Sequence, residues 1–257
     1  MVSAAGSLPG VHPPAHRPWV IAHRGASAAF PENTVEAFRA AAAMGADAVE
    51  LDVRRTADGQ PVVHHDPLVP GLGPIVSLTA AELRRHAAWL PSLEEALEAC
   101  AGLWVDVEVK NSPADPDWDP ADRLVERVVT WLAAHVGRRE ILLSSFNPPT
   151  LARARELAPG LPTGCLIDHP GSPGEEAATA AQGGHRLLLP PAAALAGDAA
   201  RDWAGAAREA SLLLVAWTVD DPGEACRLAA AGIAGLITNR PDAVLSALGE
   251  HRHGHGG

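Results

Sequence analysis

The chain has 257 residues, of which 47% are hydrophobic and 20% are charged, a length and composition that suit one α/β domain with a sizeable core. Its net charge of −11 argues against a nucleic-acid partner, because binding to phosphate backbones calls for a basic surface. No stretch approaches the ~18 uninterrupted apolar residues that a membrane span requires, so we expect no integral membrane association.

The two ends of the chain are predicted to be flexible tails outside the folded domain. Residues 1–18 are rich in Pro, Ala and Gly and lack the basic and apolar regions of a secretion signal. Residues 249–257 form a His- and Gly-rich tail, which leaves a single domain over 19–248. The three cysteines stand far apart without paired spacing, which favours free thiols and a cytoplasmic location. The sequence does not indicate the oligomeric state.

Short strand-like runs alternate with amphipathic helical runs along the chain. The first strand covers 20–22 and leads to a helix from Thr34 to Met44, with Asn33 as the predicted N-cap and Gly45 as the predicted end. Further strands are predicted at 48–53, 61–64, 103–109, 141–144, 164–167, 186–189, 212–217 and 235–237, and further helices at 80–87, 93–99, 123–136, 150–157, 175–181, 199–210, 223–231 and 242–248.

This alternation implies parallel strands that are joined by crossover helices. An eight-unit barrel and an open, doubly wound sheet both fit the pattern. Neither a G-x-G-x-x-G motif nor a P-loop occurs in the sequence, which weakens the nucleotide-binding type of open sheet.

Two of the predicted strands carry acidic residues on one face. Alternation places Glu50 and Asp52 together on the second strand, and Asp106, Glu108 and Lys110 together on the strand that begins at residue 103. In a parallel barrel the apolar face of each strand packs under the helices, so the acids would point inward. Burial and mutual repulsion disfavour carboxylates there unless something positive lies between them.

A hard divalent cation is predicted to neutralise the inward acids. The alternative is pairing with arginines such as Arg24 or Arg54, but a network of ion pairs needs several inward cations, and only Lys110 and Arg24 are candidates. Ligands that are all oxygen favour Mg²⁺ or Ca²⁺ over zinc, which usually recruits His or Cys. One such ion is therefore expected.

Histidines and cations at the ends of strands are candidates for proton transfer and phosphate binding. His23 ends the first strand, and His64-His65-Asp66 ends another, where alternation allows only one of the two histidines to face inward. Arg24 offers donors for phosphate oxygens. Lys110 is the only lysine in the chain, which indicates a position that requires a compact ammonium group.

In their order and spacing, these segments resemble the glycerophosphodiester phosphodiesterase family. The resemblance covers 19–248, and its matching stretches are AHRGA at 22–26, PENT at 31–34, VELDV at 49–53, VHHD at 63–66, VEVK at 107–110, SSFN at 144–147, AWTVD at 216–220 and LITNRPD at 236–242. Any one tripeptide is weak evidence, whereas the ordered set is highly specific.

The resemblance implies a single catalytic domain over 19–248 with an α/β fold, namely a (β/α)8 TIM-like barrel. A small insertion near 67–89 is implied after the second strand. The implied site comprises a general acid and base formed by His23 and His65, one divalent cation held by Glu50, Asp52 and Glu108, phosphate contacts from Arg24 and Lys110, and Trp217 on the wall of the substrate pocket. His65 is implied rather than His64 because the family histidine directly precedes an aspartate.

The implied activity is metal-dependent hydrolysis of glycerophosphodiesters, such as glycerophosphocholine or glycerophosphoethanolamine, to glycerol 3-phosphate and an alcohol. The nucleophile stays open between the substrate's glycerol 2-hydroxyl, which would give a cyclic phosphate, and water. Lysophospholipase D-like cleavage of lysophospholipids needs the same residues. A non-catalytic barrel that binds a phosphate ligand is the alternative outside enzymology. A zinc amidohydrolase is disfavoured, because it would want a His-x-His pair where this chain has His23-Arg24.

Two stretches depart from the family pattern. Residues 68–73 replace a Leu-x-Arg-Thr-type segment, and Asn239-Arg240 stands where an aspartate followed by an aromatic or small residue is common. Both are predicted to lie near the barrel mouth, so they bear on which alcohol is accepted.

Overall fold

The computed structural model of the chain describes residues 13–135 and 141–250, over which strands and helices alternate. The strands are β1 (Trp19–His23), β2 (Ala48–Arg55), β3 (Pro61–Val63), β4 (Leu68–Val69), β5 (Gly73–Pro74), β6 (Trp104–Val109), β7 (Ile141–Ser145), β8 (Thr163–Leu166), β9 (Leu187–Leu189), β10 (Leu213–Ala216) and β11 (Gly235–Thr238). The helices are α1 (Val35–Met44), α2 (Ala80–His86), α3 (Leu93–Ala99), α4 (Arg123–His135), α5 (Pro148–Leu157), α6 (Pro173–Gln182), α7 (Ala199–Glu209), α8 (Pro222–Ala230) and α9 (Pro241–Glu250). Short 3-10 helices cover Ile75–Ser77 and Ala192–Leu195.

Eight of the strands close into a parallel barrel. Around the barrel they follow the order β1, β2, β6, β7, β8, β9, β10 and β11, and β1 pairs with both β2 and β11. Helices cover the outside of this closed sheet. The fold is therefore the predicted (β/α)8 barrel of the TIM type, and the open doubly wound sheet is wrong.

Apolar side chains fill the barrel at the amino-terminal ends of its strands. Trp19, Ala48 and Trp104 belong to one inner cluster, and the two indole rings meet edge to face with their centroids 5.3 Å apart. The valines at 105, 107 and 109 instead pack outside the barrel against the helices, as predicted. Because side chains alternate along a strand, the acids that follow Ala48 and Trp104 point inward at the carboxyl ends.

Helix α1 begins at Val35, one residue later than predicted. Thr34 is the N-cap, and its hydroxyl accepts a hydrogen bond from the backbone N–H of Ala37. The N-cap prediction for Asn33 is wrong, because the backbone of Asn33 has a φ of 57° and its side chain donates to Asp52 instead. Gly45 ends the helix in the left-handed conformation, with a φ of 85°, as predicted.

The segment between β2 and α3 forms the predicted insertion. Strand β3 turns back antiparallel to the end of β2, and β4 and β5 form a small hairpin. A separate apolar cluster that includes Ile75 and Leu83 stabilises the segment. Helix α2 begins with a capping box between Thr79 and Glu82. The insertion thus has a small core of its own, next to the strand end that carries His64 and His65.

The predicted tails lie mostly outside the described residues. These include 1–12 and the histidines at 251, 253 and 255. Within the described ranges, Arg17 pairs with Asp47 at the foot of the barrel, and α9 continues beyond Leu248 to Glu250. No helix in 13–135 or 141–250 combines the length and the apolar character needed to cross a membrane.

Candidate active site

A cavity of about 960 Å³ opens at the carboxyl ends of the barrel strands. This is the end of the barrel at which enzymes of this fold carry their active sites. The predicted site residues that line it are His23, Arg24, Glu50, His65, Glu108, Lys110 and Trp217. Asp52 contacts Arg24 and Lys110 from below, so the fold brings all the predicted site residues together.

Three buried carboxyl groups from β2 and β6 meet at the floor of the cavity. The parallel register sets Glu50 beside Asp106 and Asp52 beside Glu108. One oxygen from each of Glu50, Asp52 and Glu108 lies within 4.8 Å of the other two. We refer to these three residues as the acid cluster. Asp106 lies deeper in the barrel and is 1% exposed.

Two cations and one amide contact the acid cluster directly. Lys110 Nζ lies 2.9 Å from Asp52 Oδ1 and 2.6 Å from Glu108 Oε1. Arg24 Nε lies 3.1 Å from Asp52 Oδ2, and Asn33 Nδ2 donates to the same oxygen over 2.8 Å. Asp52 is therefore held from three sides, whereas Glu50 Oε2 accepts a hydrogen bond from the backbone N–H of Arg24, at 3.0 Å.

The carboxyl groups at the cavity floor differ in protonation. Burial, followed by repulsion from Asp52 and Glu108, raises the pKa of Glu50 well above its usual value. Burial raises the pKa of Glu108 to about 7, despite the opposing ammonium of Lys110, and raises the pKa of Asp106 to about 7. Burial acts in the same direction on Asp52, but Lys110 and then the neighbouring guanidinium outweigh it, so the pKa of Asp52 is lowered. The positive charges of Lys110 and Arg24 are therefore too few to neutralise all four carboxyl groups in their ionised form.

The acid cluster fits a hard divalent cation. Among the described residues, the buried Glu50 Oε1 has no hydrogen-bond partner, and buried carboxylates are normally paired or bound to metal. All the available donors in the cluster are carboxylate oxygens, which are the ligands that Mg²⁺ and Ca²⁺ prefer. The cluster consists of the three residues predicted as metal ligands, and their oxygens are close enough together to share one ion.

Divalent cations are expected to stabilise the protein more as the pH rises. The pKa of Glu50 and the pKa of Glu108, the latter at about 7, are raised in the folded state. The cation-free protein therefore holds extra protons and loses stability as the pH rises from the usual glutamate range of about 4.5 to about 7. A bound cation replaces these protons. Thermal unfolding with Mg²⁺ or with EDTA, at about pH 6 and about pH 8, measures the difference, and an equal Mg²⁺ effect at both values would contradict it.

A tight turn after β1 positions Arg24 above Asp52. Arg24 has a φ of 57° and Gly25 a φ of 83°, so both residues are in the left-handed region that favours glycine. A Cβ atom on Gly25 would lie 2.6 Å from the carbonyl carbon of Ala37, which is a clash with the first turn of α1. Glycine is thus required both by conformation and by space.

Gly25→Ala is expected to destabilise the protein more than the matched change Gly45→Ala. The two glycines have nearly the same φ, 83° and 85°, and a left-handed alanine costs about 1–2 kcal/mol. Gly45 has no atom within 4 Å of the added Cβ, whereas the clash with Ala37 should add about 1–3 kcal/mol for Gly25→Ala. Urea unfolding of both variants measures the difference, and equal losses would contradict the role of the close contact.

His23 lies at the end of β1, with one ring nitrogen facing the acid cluster and the other facing Asn239. Nε2 faces the acid cluster, 3.9 Å from Glu50 Oε2, and Nδ1 lies 2.7 Å from Asn239 Oδ1. Burial, and then the charge of Arg24, lower the pKa of His23. The ring is therefore neutral at neutral pH, which is the form that can accept a proton.

Of the two adjacent histidines, His65 lines the cavity and His64 packs against the insertion. The ring of His64 meets Trp89 edge to face, with centroids 5.5 Å apart. His65 Nδ1 lies 2.8 Å from Asp66 Oδ1, and the carbonyl of His65 accepts a hydrogen bond from Arg54 Nε at 2.6 Å. His65 thus occupies the position that a proton-transfer group requires, whereas His64 does not line the cavity.

Two aromatic side chains form one wall of the cavity. Phe146 and Trp217 are edge to face, with ring centroids 5.4 Å apart. The indole N–H of Trp217 donates to the carbonyl of Leu189 at 2.8 Å, which fixes the ring, and Lys110 Nζ lies 5.8 Å from the centre of the Phe146 ring. The wall is therefore apolar and meets the charged floor at Lys110.

The sequence model that describes the glycerophosphoryl diester phosphodiesterase family matches residues 23–243 of this chain. The chain belongs to this family. A glycerophosphodiester phosphodiesterase from Caldanaerobacter subterraneus subsp. tengcongensis is 28% identical to it over 88% of this chain and 96% of the relative. The resemblance drawn from the motifs is thus confirmed, and the chain is a phosphodiesterase.

Solved structures of similar proteins support the same assignment. A glycerophosphodiester phosphodiesterase from Thermotoga maritima has a TM-score of 0.75 and 27% identity, and the match covers 91% of this chain and 99% of the other. A phosphodiesterase from Oleispira antarctica, solved with the product sn-glycerol-3-phosphate, has a TM-score of 0.79 and 25% identity, with 91% and 97% covered. Glycerophosphodiesters are the substrates of this family.

Asn33 and Arg54 support the site of this family member through contacts that the sequence does not indicate. Asn33 has the sequence position of a helix cap, although it binds Asp52. Arg54 continues the alternation of Glu50 and Asp52, which is a signal for a position at the mouth, yet nothing in the sequence indicates its contact with the His65 carbonyl. Arg54 is fixed in turn by aspartates of the loop after β6, namely Asp117 at 2.7 Å and Asp115 at 3.2 Å.

Proposed function

We propose that this phosphodiesterase hydrolyses glycerophosphodiesters, such as glycerophosphocholine or glycerophosphoethanolamine, to glycerol 3-phosphate and an alcohol. His23 and His65 are the proton-transfer pair, and Glu50, Asp52 and Glu108 hold one Mg²⁺ or Ca²⁺. The observation that carries the proposal is the convergence of the acid cluster, both histidines and two cations on one cavity. The Oleispira antarctica relative, which binds sn-glycerol-3-phosphate, supports the identity of the product.

The charged floor of the cavity is suited to a phosphate group. A divalent cation at the acid cluster would supply positive charge that stabilises the negative charge building up on the phosphoryl group. Arg24 and Lys110 border the same space, and they bind and orient the phosphate oxygens by charge-assisted hydrogen bonds. Burial of this floor strengthens each of these interactions, because screening by water is weaker there.

The two histidines divide the proton transfers. One removes a proton from the nucleophile as its oxygen attacks phosphorus, and the other protonates the alcohol oxygen as it leaves. The nucleophile is either the glycerol 2-hydroxyl of the substrate, which gives a cyclic phosphate that water then opens, or water itself. Trp217 and Phe146 line the side of the cavity and contact the organic part of the substrate.

Lysophospholipid cleavage is the second candidate, because the hairpin of the insertion exposes apolar side chains. Leu68 is 51% exposed and Leu72 is 36% exposed, and Pro67, which precedes the hairpin, lines the cavity. Exposed apolar groups beside a binding site are a feature of surfaces that bind apolar ligands. An acyl chain placed on this hairpin would leave the phosphate at the acid cluster.

One parallel assay tests the proposal and separates its alternatives. Purified full-length protein is treated with EDTA, restored with Mg²⁺ or Ca²⁺, and incubated with glycerophosphocholine or with lysophosphatidylcholine. We expect glycerol 3-phosphate from the first substrate, choline release from it, and loss of both without a cation. Turnover that survives thorough chelation would disprove the metal role. Faster choline release from lysophosphatidylcholine would favour the second candidate, and binding of glycerol 3-phosphate without turnover of either substrate would favour a non-catalytic barrel.

A further inference from the structure

A chain of hydrogen bonds runs from the ring of His23 to a carboxylate on the loop after β10. His23 Nδ1 lies 2.7 Å from Asn239 Oδ1, and Asn239 Nδ2 donates to Asp220 Oδ2 over 2.7 Å. Asn239 follows β11 and Asp220 follows β10, so the two loops meet behind the histidine. Neither Asn239 nor Asp220 has a role in the function proposed above.

The surroundings of Asp220 fix the orientation of the Asn239 amide. Asp220 Oδ1 accepts hydrogen bonds from the Thr238 hydroxyl at 3.0 Å and from the Asn239 backbone N–H at 2.7 Å. With Asn239 Nδ2 on its other oxygen, Asp220 accepts three hydrogen bonds, which suits an ionised carboxylate because it offers acceptors and no donor. An amide that turned its oxygen toward Asp220 would place two acceptors in contact. Asn239 Oδ1 must therefore face His23.

The fixed amide determines which ring nitrogen of His23 carries the proton. Asn239 Oδ1 can only accept, so Nδ1 of His23 must donate, and in a neutral ring the other nitrogen then carries a lone pair. That nitrogen, Nε2, is the one that faces the acid cluster, 3.9 Å from Glu50 Oε2. Ser27 Oγ lies 2.8 Å from both Asn239 Oδ1 and the carbonyl oxygen of His23, so its single proton is shared between these two acceptors.

We infer that Asp220 and Asn239 are positioning residues that hold His23 as the Nδ1–H tautomer, with the Nε2 lone pair turned to the substrate. The inference rests on the proposed function, in which His23 and His65 share the proton transfers, and assigns His23 the first of them. The nucleophile oxygen forms its bond to phosphorus while its proton passes to His23 Nε2. The bond from phosphorus to the leaving oxygen breaks, and that oxygen takes a proton from His65.

Asp220→Asn is the first test, because it changes no shape and reverses one hydrogen-bond direction. The new side-chain amide at position 220 keeps an oxygen for the Thr238 hydroxyl and the backbone N–H, but it turns an NH₂ group toward Asn239. The Asn239 amide then rotates to accept, presents its own NH₂ to His23, and imposes the Nε2–H tautomer. A wrong tautomer of this kind costs up to about 10⁴-fold in kcat in the Ser-His-Asp triad. We expect a loss of roughly 10²- to 10⁴-fold here, with little change in KM.

Exchanging the two residues should restore activity. In the double variant Asp220→Asn with Asn239→Asp, the amide at position 220 donates to the carboxylate at position 239, which again accepts from His23 Nδ1. We expect most of the lost kcat to return. Thr238→Val is the control, because it removes another hydrogen bond to Asp220 and leaves the Asn239 amide in place. It should lower the melting temperature and leave kcat close to that of the wild type.

Nitrogen NMR of ¹⁵N-histidine-labelled protein reads the tautomer without any substrate. The His23 signals are assigned by their loss in His23→Gln. We expect a protonated Nδ1 and an unprotonated Nε2 in the wild type, and the reverse in Asp220→Asn. A wild type without activity on glycerophosphodiesters would refute the proposed function and leave this measurement valid. If Asp220→Asn does not fold, Asn239→Leu replaces it, and its kcat should fall while KM holds.

Three outcomes would overturn the inference. The first is an Nε2–H tautomer of His23 in the wild type, and the second is an unchanged kcat in a folded Asp220→Asn or Asn239→Leu variant. The third is a double variant that melts at the wild-type temperature and does not recover activity. If the two residues had a purely structural role, their replacement would lower the melting temperature. The His23 tautomer would then stay the same, and the double variant would not recover kcat.

Discussion

His65→Ala is expected to lower kcat on a glycerophosphodiester by roughly 10²- to 10⁴-fold, the usual value of a proton-transfer group. His65 lines the same cavity as His23 and the acid cluster. Its Nδ1 is 2.8 Å from Asp66 Oδ1, which orients the ring. Because Arg54 holds the His65 carbonyl, the backbone should keep its place after the side chain is removed, and KM should change much less than kcat.

His64→Ala is the matched control, since the two histidines are adjacent and both replacements are the same. The ring of His64 packs on Trp89, so its loss removes an apolar contact of the insertion. We expect a lower melting temperature with most of kcat retained. Steady-state kinetics and thermal unfolding of both variants measure these changes in kcat and in melting temperature. An inactive His64→Ala together with an active His65→Ala would reverse the choice between them.

The inward acids could be predicted because strand alternation is a local property. Glu50 and Asp52 are two residues apart on one strand, and Asp106 and Glu108 repeat that spacing on another, so a period of two puts each pair on one face. The apolar residues between them indicate which face is covered by helices. The barrel itself needs more than this pattern, because an open parallel sheet has the same alternation. It is the ordered set of family motifs that favours closure.

Contacts between distant segments could not be predicted in the same way. His23 and Asn239 are 216 residues apart, and no periodicity relates the two loops that bring them together. The wrong cap prediction for Asn33 has a related cause. An asparagine before a helix favours the N-cap, but here the buried Asp52 needs a donor, and the left-handed backbone of Asn33 gives the cap to Thr34. A tertiary contact thus overrides a local preference.

The site depends on charge compensation among groups that are individually unfavourable when buried. Asp52 is 0% exposed and Glu108 is 6% exposed, and Lys110 contacts both of them. Burial lowers the pKa of Lys110, but Glu108 and then Asp52 outweigh this effect and raise it. The lysine is therefore charged throughout the physiological range. It compensates two acids while it also borders the space proposed for phosphate.

Lys110→Met is expected to lower both the free energy of unfolding and kcat, for two separate reasons. Removing one partner of a buried ion pair typically costs about 3–5 kcal/mol, and Asp52 keeps Arg24 as a partner, so a loss near the lower value is expected in EDTA. Loss of a charge that stabilises the transition state costs roughly 10²- to 10³-fold in kcat. Mg²⁺ should restore much of the stability, because it compensates the same acids, but should not restore kcat.

Lys110→Arg separates charge from shape at this position. A guanidinium keeps the positive charge, so the free energy of unfolding in EDTA should be higher than that of Lys110→Met. It is planar and larger than an ammonium group, and the space between Asp52, Glu108 and the Phe146 ring is small, with contacts at 2.9, 2.6 and 5.8 Å. We therefore expect a lower kcat than in the wild type. Full kcat in Lys110→Met at saturating Mg²⁺ would show that the ammonium acts only on stability, and full kcat in Lys110→Arg would show that its charge matters and its compact shape does not.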